Sequence, residues 1–245
     1  MHRPGVVLSL FVVALLGISP AGALTTATAQ ARSVSASAQV SNGPASSQSF
    51  SASDFAPFDQ TAYAYSQQPN TAGCCYVASS IRQTSSIEDG HFSATLTGNM
   101  SYNTIGGPAT TQSIYDVVFA LSAASNYKIS NGFRTYGSYG SHVVTLWDEN
   151  GQVIVQTYGN YYPPGSQPGD LGFPSVSGTL GPGTYRFTAQ WDRNTPTDFG
   201  PENQFDAVAD LRFTAIPEPT TASLFALGLG MLGARAQIRR LRPCQ

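Results

Sequence analysis

What most restricts this chain is a strict alternation of apolar and polar residues that returns along its length. Phe92, Ala94, Leu96, Gly98, Met100 and Tyr102 alternate with Ser93, Thr95, Thr97, Asn99 and Ser101. Successive side chains of a strand point to opposite faces, so a period of two predicts a strand with one buried face. The pattern recurs where Tyr185, Phe187, Ala189 and Trp191 alternate with Arg186, Thr188 and Gln190. It returns again where Phe205, Ala207, Ala209, Leu211 and Phe213 face inward and Asp206, Asp210 and Arg212 outward. Tyr115, Val117, Phe119 and Leu121 make another apolar face, and Tyr127, Ile129 and Phe133 a further one, with Gly132 as a bulge. No amphipathic helical period interrupts the body. The prediction is an all-β fold, an antiparallel two-sheet β-sandwich of jelly-roll-like form.

The hairpin over 142–158 is the sharpest local expectation. Asn150-Gly151 suits a two-residue type I′ turn. That turn would set Glu149 opposite Gln152, Trp147 opposite Ile154, Leu146 opposite Val155 and Thr145 opposite Gln156. Both faces of the ribbon carry large apolar groups, which places it inside a sheet rather than on an edge.

Residues 25–47 are Ala, Ser, Thr and Gln with scarcely a large apolar side chain. Such a stretch buries little surface against its ordering entropy, so 24–47 reads as a flexible leader and 48–215 as the sandwich domain. Of the three cysteines, Cys74 and Cys75 are adjacent and Cys244 lies near the last residue. A bond between Cys74 and Cys75 is the candidate disulfide, although neighbouring Cα atoms only about 3.8 Å apart would strain it. Two free thiols or a link to another chain are the alternatives.

The ends of the chain carry signals of their own. Arg3 precedes an apolar run from Val6 to Ile18, followed by the small residues Ala21-Gly22-Ala23. This is the layout of a secretory signal peptide, 1–23, cleaved after Ala23 or, as second choice, after Ala29. At the other end stand Ile216-Pro217-Glu218-Pro219, an uncharged apolar run from Thr220 to Ala234, and then Arg235, Arg239, Arg240 and Arg242. Prolines end the preceding strand, the apolar run suits a helix in lipid, and arginines favour the cytoplasmic side. Its 15 residues fall short of the ~20 of a lasting membrane span.

That order of parts over 216–245 resembles the PEP-CTERM sorting signal of Gram-negative bacteria that make exopolysaccharide. Ile216 stands where that family usually has valine. The resemblance implies a C-terminal hydrophobic sorting helix that contacts the membrane before processing, and a membrane protease, exosortase, as partner. Ile216, Pro217, Glu218, Pro219, Arg235, Arg239 and Arg240 are its sorting residues. It further implies export across the inner membrane to the cell surface or extracellular matrix.

Without Arg3 and the four tail arginines, seven of the twelve basic residues face fourteen acidic ones. So acidic a body is a poor fit to nucleic acid, which needs clustered Lys and Arg. Catalytic groupings are not visible. His91 and His142 have no ligand-spaced partner, which points to surface or hydrogen-bonded histidines and to no metal site. There is no nucleophile elbow and no phosphate loop. The chain reads as a non-enzyme without cofactor, in a structural or adhesive role in an exopolysaccharide layer. The alternative is a carbohydrate-binding, lectin-like module or a glycan hydrolase. Tyr158, Asn160, Tyr161 and Tyr162 are the glycan candidates, because tyrosine rings stack on sugar faces and amides bind hydroxyls. Trp147 and Trp191 read as core anchors.

Overall fold

The computed structural model describes residues 25–69, 75–103, 107–135, 141–159, 175–195 and 202–216. Among them are twelve strands and no helix. In chain order these are β1 (Thr25–Gln39), β2 (Ala45–Ser51), β3 (Phe58–Gln67), β4 (Tyr76–Glu88), β5 (His91–Tyr102) and β6 (Ala109–Leu121). They continue with β7 (Ser125–Thr135), β8 (Ser141–Trp147), β9 (Val153–Gly159), β10 (Val176–Leu180), β11 (Gly183–Thr195) and β12 (Glu202–Ala215). The first sheet runs β2-β1-β6-β11-β8-β9 and the second β10-β7-β12-β5-β4-β3. Every pairing is antiparallel. Only β1–β2, β3–β4–β5 and β8–β9 follow one another within a sheet; each remaining connection crosses to the other sheet. Crossing lets both alternating faces find a partner, so the inward residues of the two sheets share one interior.

The alternating stretches become strands in the predicted phase. Phe92, Leu96 and Met100 of β5, Phe187 and Trp191 of β11, and Phe205 and Leu211 of β12 are all buried. Two glycines in strands are roofed by aromatic rings of the neighbouring strand. A Cβ on Gly98 would lie 2.0 Å from the Phe205 ring, and one on Gly178 2.7 Å from the Tyr127 hydroxyl. Large rings thus fill the space that the glycines leave.

Residues 25–39, expected within a flexible leader, form β1 instead. The reason lies in small residues at period two: Val34, Ala36, Ala38 and Val40 are buried, with serines at 33, 35 and 37 between them. Little apolar area is needed, because β1 is paired on both sides, to β2 and to β6. Tyr63 and Tyr65 lie on β3. That outer strand is sealed by β2 side chains: Tyr63 N donates to Gln48 Oε1 at 2.7 Å and Tyr65 N to Ser46 Oγ at 3.4 Å. Exposed edges otherwise invite pairing with other chains.

The hairpin differs from expectation at its tip. Only Gly151 has positive φ, at 75°. The loop is a three-residue one in which Gly151 N donates to Asp148 O and Asp148 N to Gln152 O. Asp148 Oδ1 accepts from Asn150 N at 2.9 Å and from Gln152 N at 2.7 Å. That carboxylate favours an ordinary type I turn closed by one left-handed glycine over the type I′ turn. Leu146–Val155 and Thr145–Gln156 keep their register, whereas Trp147 pairs with Val153 across a bulge. Nor is the hairpin interior, since β9 is the outermost strand of its sheet. Among the described strands, none pairs with its far side.

Two apolar clusters fill the interior. Polar groups are buried between the sheets too, and some of them pair there. Ser113 Oγ donates to Gln83 Oε1 at 3.0 Å, and Tyr115 donates to Ser86 O at 2.7 Å. Burial pushes the Tyr115 hydroxyl well above its ordinary pKa. Ala23–Ile216 forms one compact unit.

Candidate functional site

Of the sorting residues, Ile216 alone is described; Pro217, Glu218, Pro219, Arg235, Arg239 and Arg240 lie outside the described residues. Ile216 N donates to Ala124 O at 3.3 Å, directly after β12 ends at Ala215. β12 is paired on both sides, to β5 and to β7. The segment that begins with Ile216 therefore leaves from an inner strand of the second sheet. Among the described residues no helix is long and apolar enough to cross a membrane.

Tyr158 stands on β9, 59% exposed, and donates to Gln156 Oε1 at 2.6 Å. Asn160, Tyr161 and Tyr162 are outside the described residues. Cys75 is disulfide-bonded; Cys74, its expected partner, lies outside the described residues. The Cys75 backbone is left-handed, with φ of 63°.

Two grooves of about 370 Å³ open on the outer faces. The first lies beside the β8–β9 turn and is lined by Trp147, Asp148, Glu149, Thr184, Tyr185 and Arg186, among others. Several of its polar groups are already engaged. The Asp148 carboxylate holds the turn. Arg186 grips Asp116 with two bonds, at 2.9 and 2.5 Å, and Trp147 Nε1 donates to Thr188 Oγ1 at 3.4 Å. Trp147, read as a core anchor, is thus half-buried on an outer face, while Trp191 is fully buried.

The second groove crosses the outer face of the second sheet. Antiparallel register sets Tyr63 beside Ser80, Ser80 beside Asn99, and Asn99 beside Gln204. The adjoining row reads Thr61, Arg82, Thr97, Asp206. Every one of these except Tyr63 lines the groove, with Gly98 at its floor. Four strands about 4.8 Å apart make each row roughly 14 Å long. Arg82 donates both Nε and Nη2 to Asp59, at 2.7 and 2.6 Å. This pairing holds the Asp59 carboxyl below its ordinary range. With Arg82 neutralised, the lining is amides and hydroxyls around one carboxylate, Asp206. Asn99 Oδ1 is shielded from water and accepts no hydrogen bond among the described residues. At the rim Tyr63 is 52% and Tyr65 40% exposed, and Tyr65 stacks on Tyr76 at 5.8 Å.

The sequence reading did not find this groove. Its residues come from four strands and are spread from Thr61 to Asp206, and only cross-strand register joins them. The readable trace was the outward half of each alternation, Thr97, Asn99 and Asp206, which the reading treated as the solvent side.

The histidines part company. His91 Nε2 lies 2.6 Å from Asp210 Oδ2 on the outer face, and Arg212 Nε donates to the other oxygen of that carboxylate at 2.9 Å. His142 is buried, and neither ring nitrogen has a partner among the described residues. Desolvation lowers its pKa to about 4, so the ring is neutral at pH 7.

A comparison with curated proteins finds no significant match. Among solved structures, the chain is similar to one titled as the infectious bursal disease virus Gt strain at 9% identity, over 82% of this chain and 68% of that one, with a TM-score of 0.15. The Gx strain gives 10% identity, 84% and 68% coverage, and a TM-score of 0.14. Superpositions so poor carry no argument about fold or function. The sequence itself is more informative: residues 215–240, starting at the last residue of β12, match the PEP-CTERM protein-sorting motif, which implies an exported protein that exosortase sorts to the cell surface.

Proposed function

We propose that the exported body is a non-enzymatic structural or adhesive component of an exopolysaccharide layer, and that it grips a neutral polysaccharide strand in the groove on its second sheet. The observation that carries this reading is the pair of cross-strand rows, Tyr63-Ser80-Asn99-Gln204 and Thr61-Arg82-Thr97-Asp206. Sugar hydroxyls donate and accept, and Asn, Gln, Ser and Thr do both. Tyrosine at the rim offers an apolar ring face with a polar tip. Arg82 is already neutralised by Asp59, so Asp206 and the acidic body favour a neutral chain over an anionic one.

Hydrolysis has weaker support. A glycosidase needs two carboxyl groups facing each other across the bond, one of them protonated. Within this groove Asp206 is the only acidic residue of the lining. Asp59 is held ionised by Arg82.

Affinity electrophoresis through gels containing the producing organism's exopolysaccharide tests the proposal. The wild-type chain should be retarded, Asn99→Ala and Tyr63→Ala should each weaken retardation by roughly tenfold or more in apparent Kd, and Tyr158→Ala should have no effect. Retardation lost in Tyr158→Ala but kept in the other two would move the site to β9. Equal mobility of wild type with and without polymer would defeat the glycan reading.

A further inference from the structure

Four buried polar side chains near one end of the sandwich lack partners that buried groups normally have. Arg193 is 1% exposed, and Nε, Nη1 and Nη2 are all without a hydrogen bond among the described residues. Thr111, its register partner on β6, is 0% exposed with Oγ1 unpaired. Trp191, two positions back on β11, is also 0% exposed, and its Nε1 is unpaired. His142, opposite Trp191 on β8, completes the group with both ring nitrogens unpaired. From the facing sheet Phe205 lies 5.1 Å beneath the guanidinium and stacks on Trp191 at 4.7 Å, while Phe133 tilts against Trp191 at 4.8 Å.

The chemistry of these atoms is one-sided. A guanidinium has five N–H donors and no acceptor, and an indole has one donor and no acceptor. Thr111 and neutral His142 can each accept, but they also donate. Donors are in excess and the group carries one positive charge. What it lacks is a compact, negatively charged acceptor with at least two oxygens, the complement of a guanidinium fork.

Placement supports occupancy from outside the sheets. Arg193 is two residues from the end of β11, Thr111 two from the start of β6, and His142 one from the start of β8. The group therefore sits about 7 Å or less along the strands from that end of the sandwich. The aromatic walls around it provide low polarity, in which a charge-assisted pair is strong.

We infer that Arg193, with Trp191, His142 and Thr111, forms an internal oxyanion-binding site, filled by the carboxylate of a ligand such as a uronic acid or by a free inorganic oxyanion. This site is separate from the polysaccharide groove, which lies on the outer face of the opposite sheet, and it stands whether or not that groove binds glycan.

The chain has two tryptophans, so Trp147→Phe leaves Trp191 as the sole indole reporter inside the site. The full chain with that change is titrated with sodium glucuronate, sodium sulfate, or glucose, ionic strength being matched with chloride. Saturable change in Trp191 emission is expected with at least one oxyanion and not with glucose. At tenfold excess over Kd the melting temperature should rise by about 3 °C. Response to glucuronate but not sulfate identifies a carboxylate ligand; response to both identifies a general oxyanion site. Arg193→Met should abolish the response, and Arg193→Lys, which keeps charge but loses the fork, should weaken it. No response in the parent to either oxyanion overturns the inference, as does an equal response in Arg193→Met. Should Arg193→Met fail to fold, Arg193→Lys and the parent titration still decide.

Discussion

Two arginines on the inner face of the same sheet show how differently one residue type is used in this molecule. Arg32 on β1 and Arg193 on β11 are each 1% exposed, and each lies over a phenylalanine of the facing sheet, Phe58 at 5.8 Å and Phe205 at 5.1 Å. Arg32 donates to Gln30 Oε1 at 3.0 Å and to the carbonyls of Asp54, Ala56 and Ser85 at 2.6, 2.8 and 3.5 Å. Arg193 donates to nothing among the described residues. Desolvation lowers both pKa values, but around Arg32 the neighbouring Tyr115 and Asp54 work against it, whereas Arg193 falls to about 10 with no such support. Buried charge is tolerated when its donors are used. Arg32 is thus a structural strap that ties the β2–β3 connection to β1. Arg193 is a donor set without an acceptor, which is the signature of a binding site.

The largest test of that contrast is Arg32→Met. It should lower stability by about 3 kcal/mol or more, because three carbonyls lose their donor together. Urea unfolding measures it, and a loss below about 1 kcal/mol would erase the distinction between the two arginines.

Next in size is the pH response at the Arg193 end. His142 titrates near 4 when folded and near its ordinary 6.5 when unfolded. Between these values the unfolded chain holds the extra proton, so stability falls as pH drops from about 6.5 towards 4. The contribution is complete above the upper value and approaches about 3 kcal/mol. His142→Phe should flatten that window relative to wild type, and an unchanged pH profile would mean that His142 is not buried as described.

Gly151→Ala is a control remote from both arginines. Its left-handed φ of 75° should make alanine cost about 1–2 kcal/mol, without altering the oxyanion response. The smallest effect is the most telling. Arg193→Met, in chloride buffer free of oxyanions, should leave stability unchanged or raise it by about 1 kcal/mol. A loss as large as that of Arg32→Met would show that Arg193 is satisfied within the chain.

Much of the strand inventory was legible, and the reasons are local. Where large residues alternate with polar ones, as in 92–102 and 205–213, burial leaves its period in the sequence. β1 escaped because Ala36 and Ala38 bury well yet carry almost no hydrophobic signal, and because its stability comes from two flanking strands. The hairpin register was readable at Leu146–Val155, but the Asp148 side chain altered the tip, and one bulge shifted Trp147 to Val153. Neither the groove nor the Arg193 group was legible. Ser80, Asn99 and Gln204 look like ordinary solvent-side residues until register sets them in one row. Arg193 stands in a stretch whose polar residues all suit an exposed loop.

By itself the sequence determined the all-β class, the phase of the main strands and the sorting motif at 215–240. Those properties depend on neighbours within a few residues, through side-chain alternation, proline's missing donor and the order of charged and apolar segments. Tertiary structure alone decided the strand order, the sealing of β3 by β2, and which polar side chains were paired and which were left without a partner. Strands carry no record of the strand that will lie beside them, and hydrogen-bond satisfaction is settled only when distant segments meet.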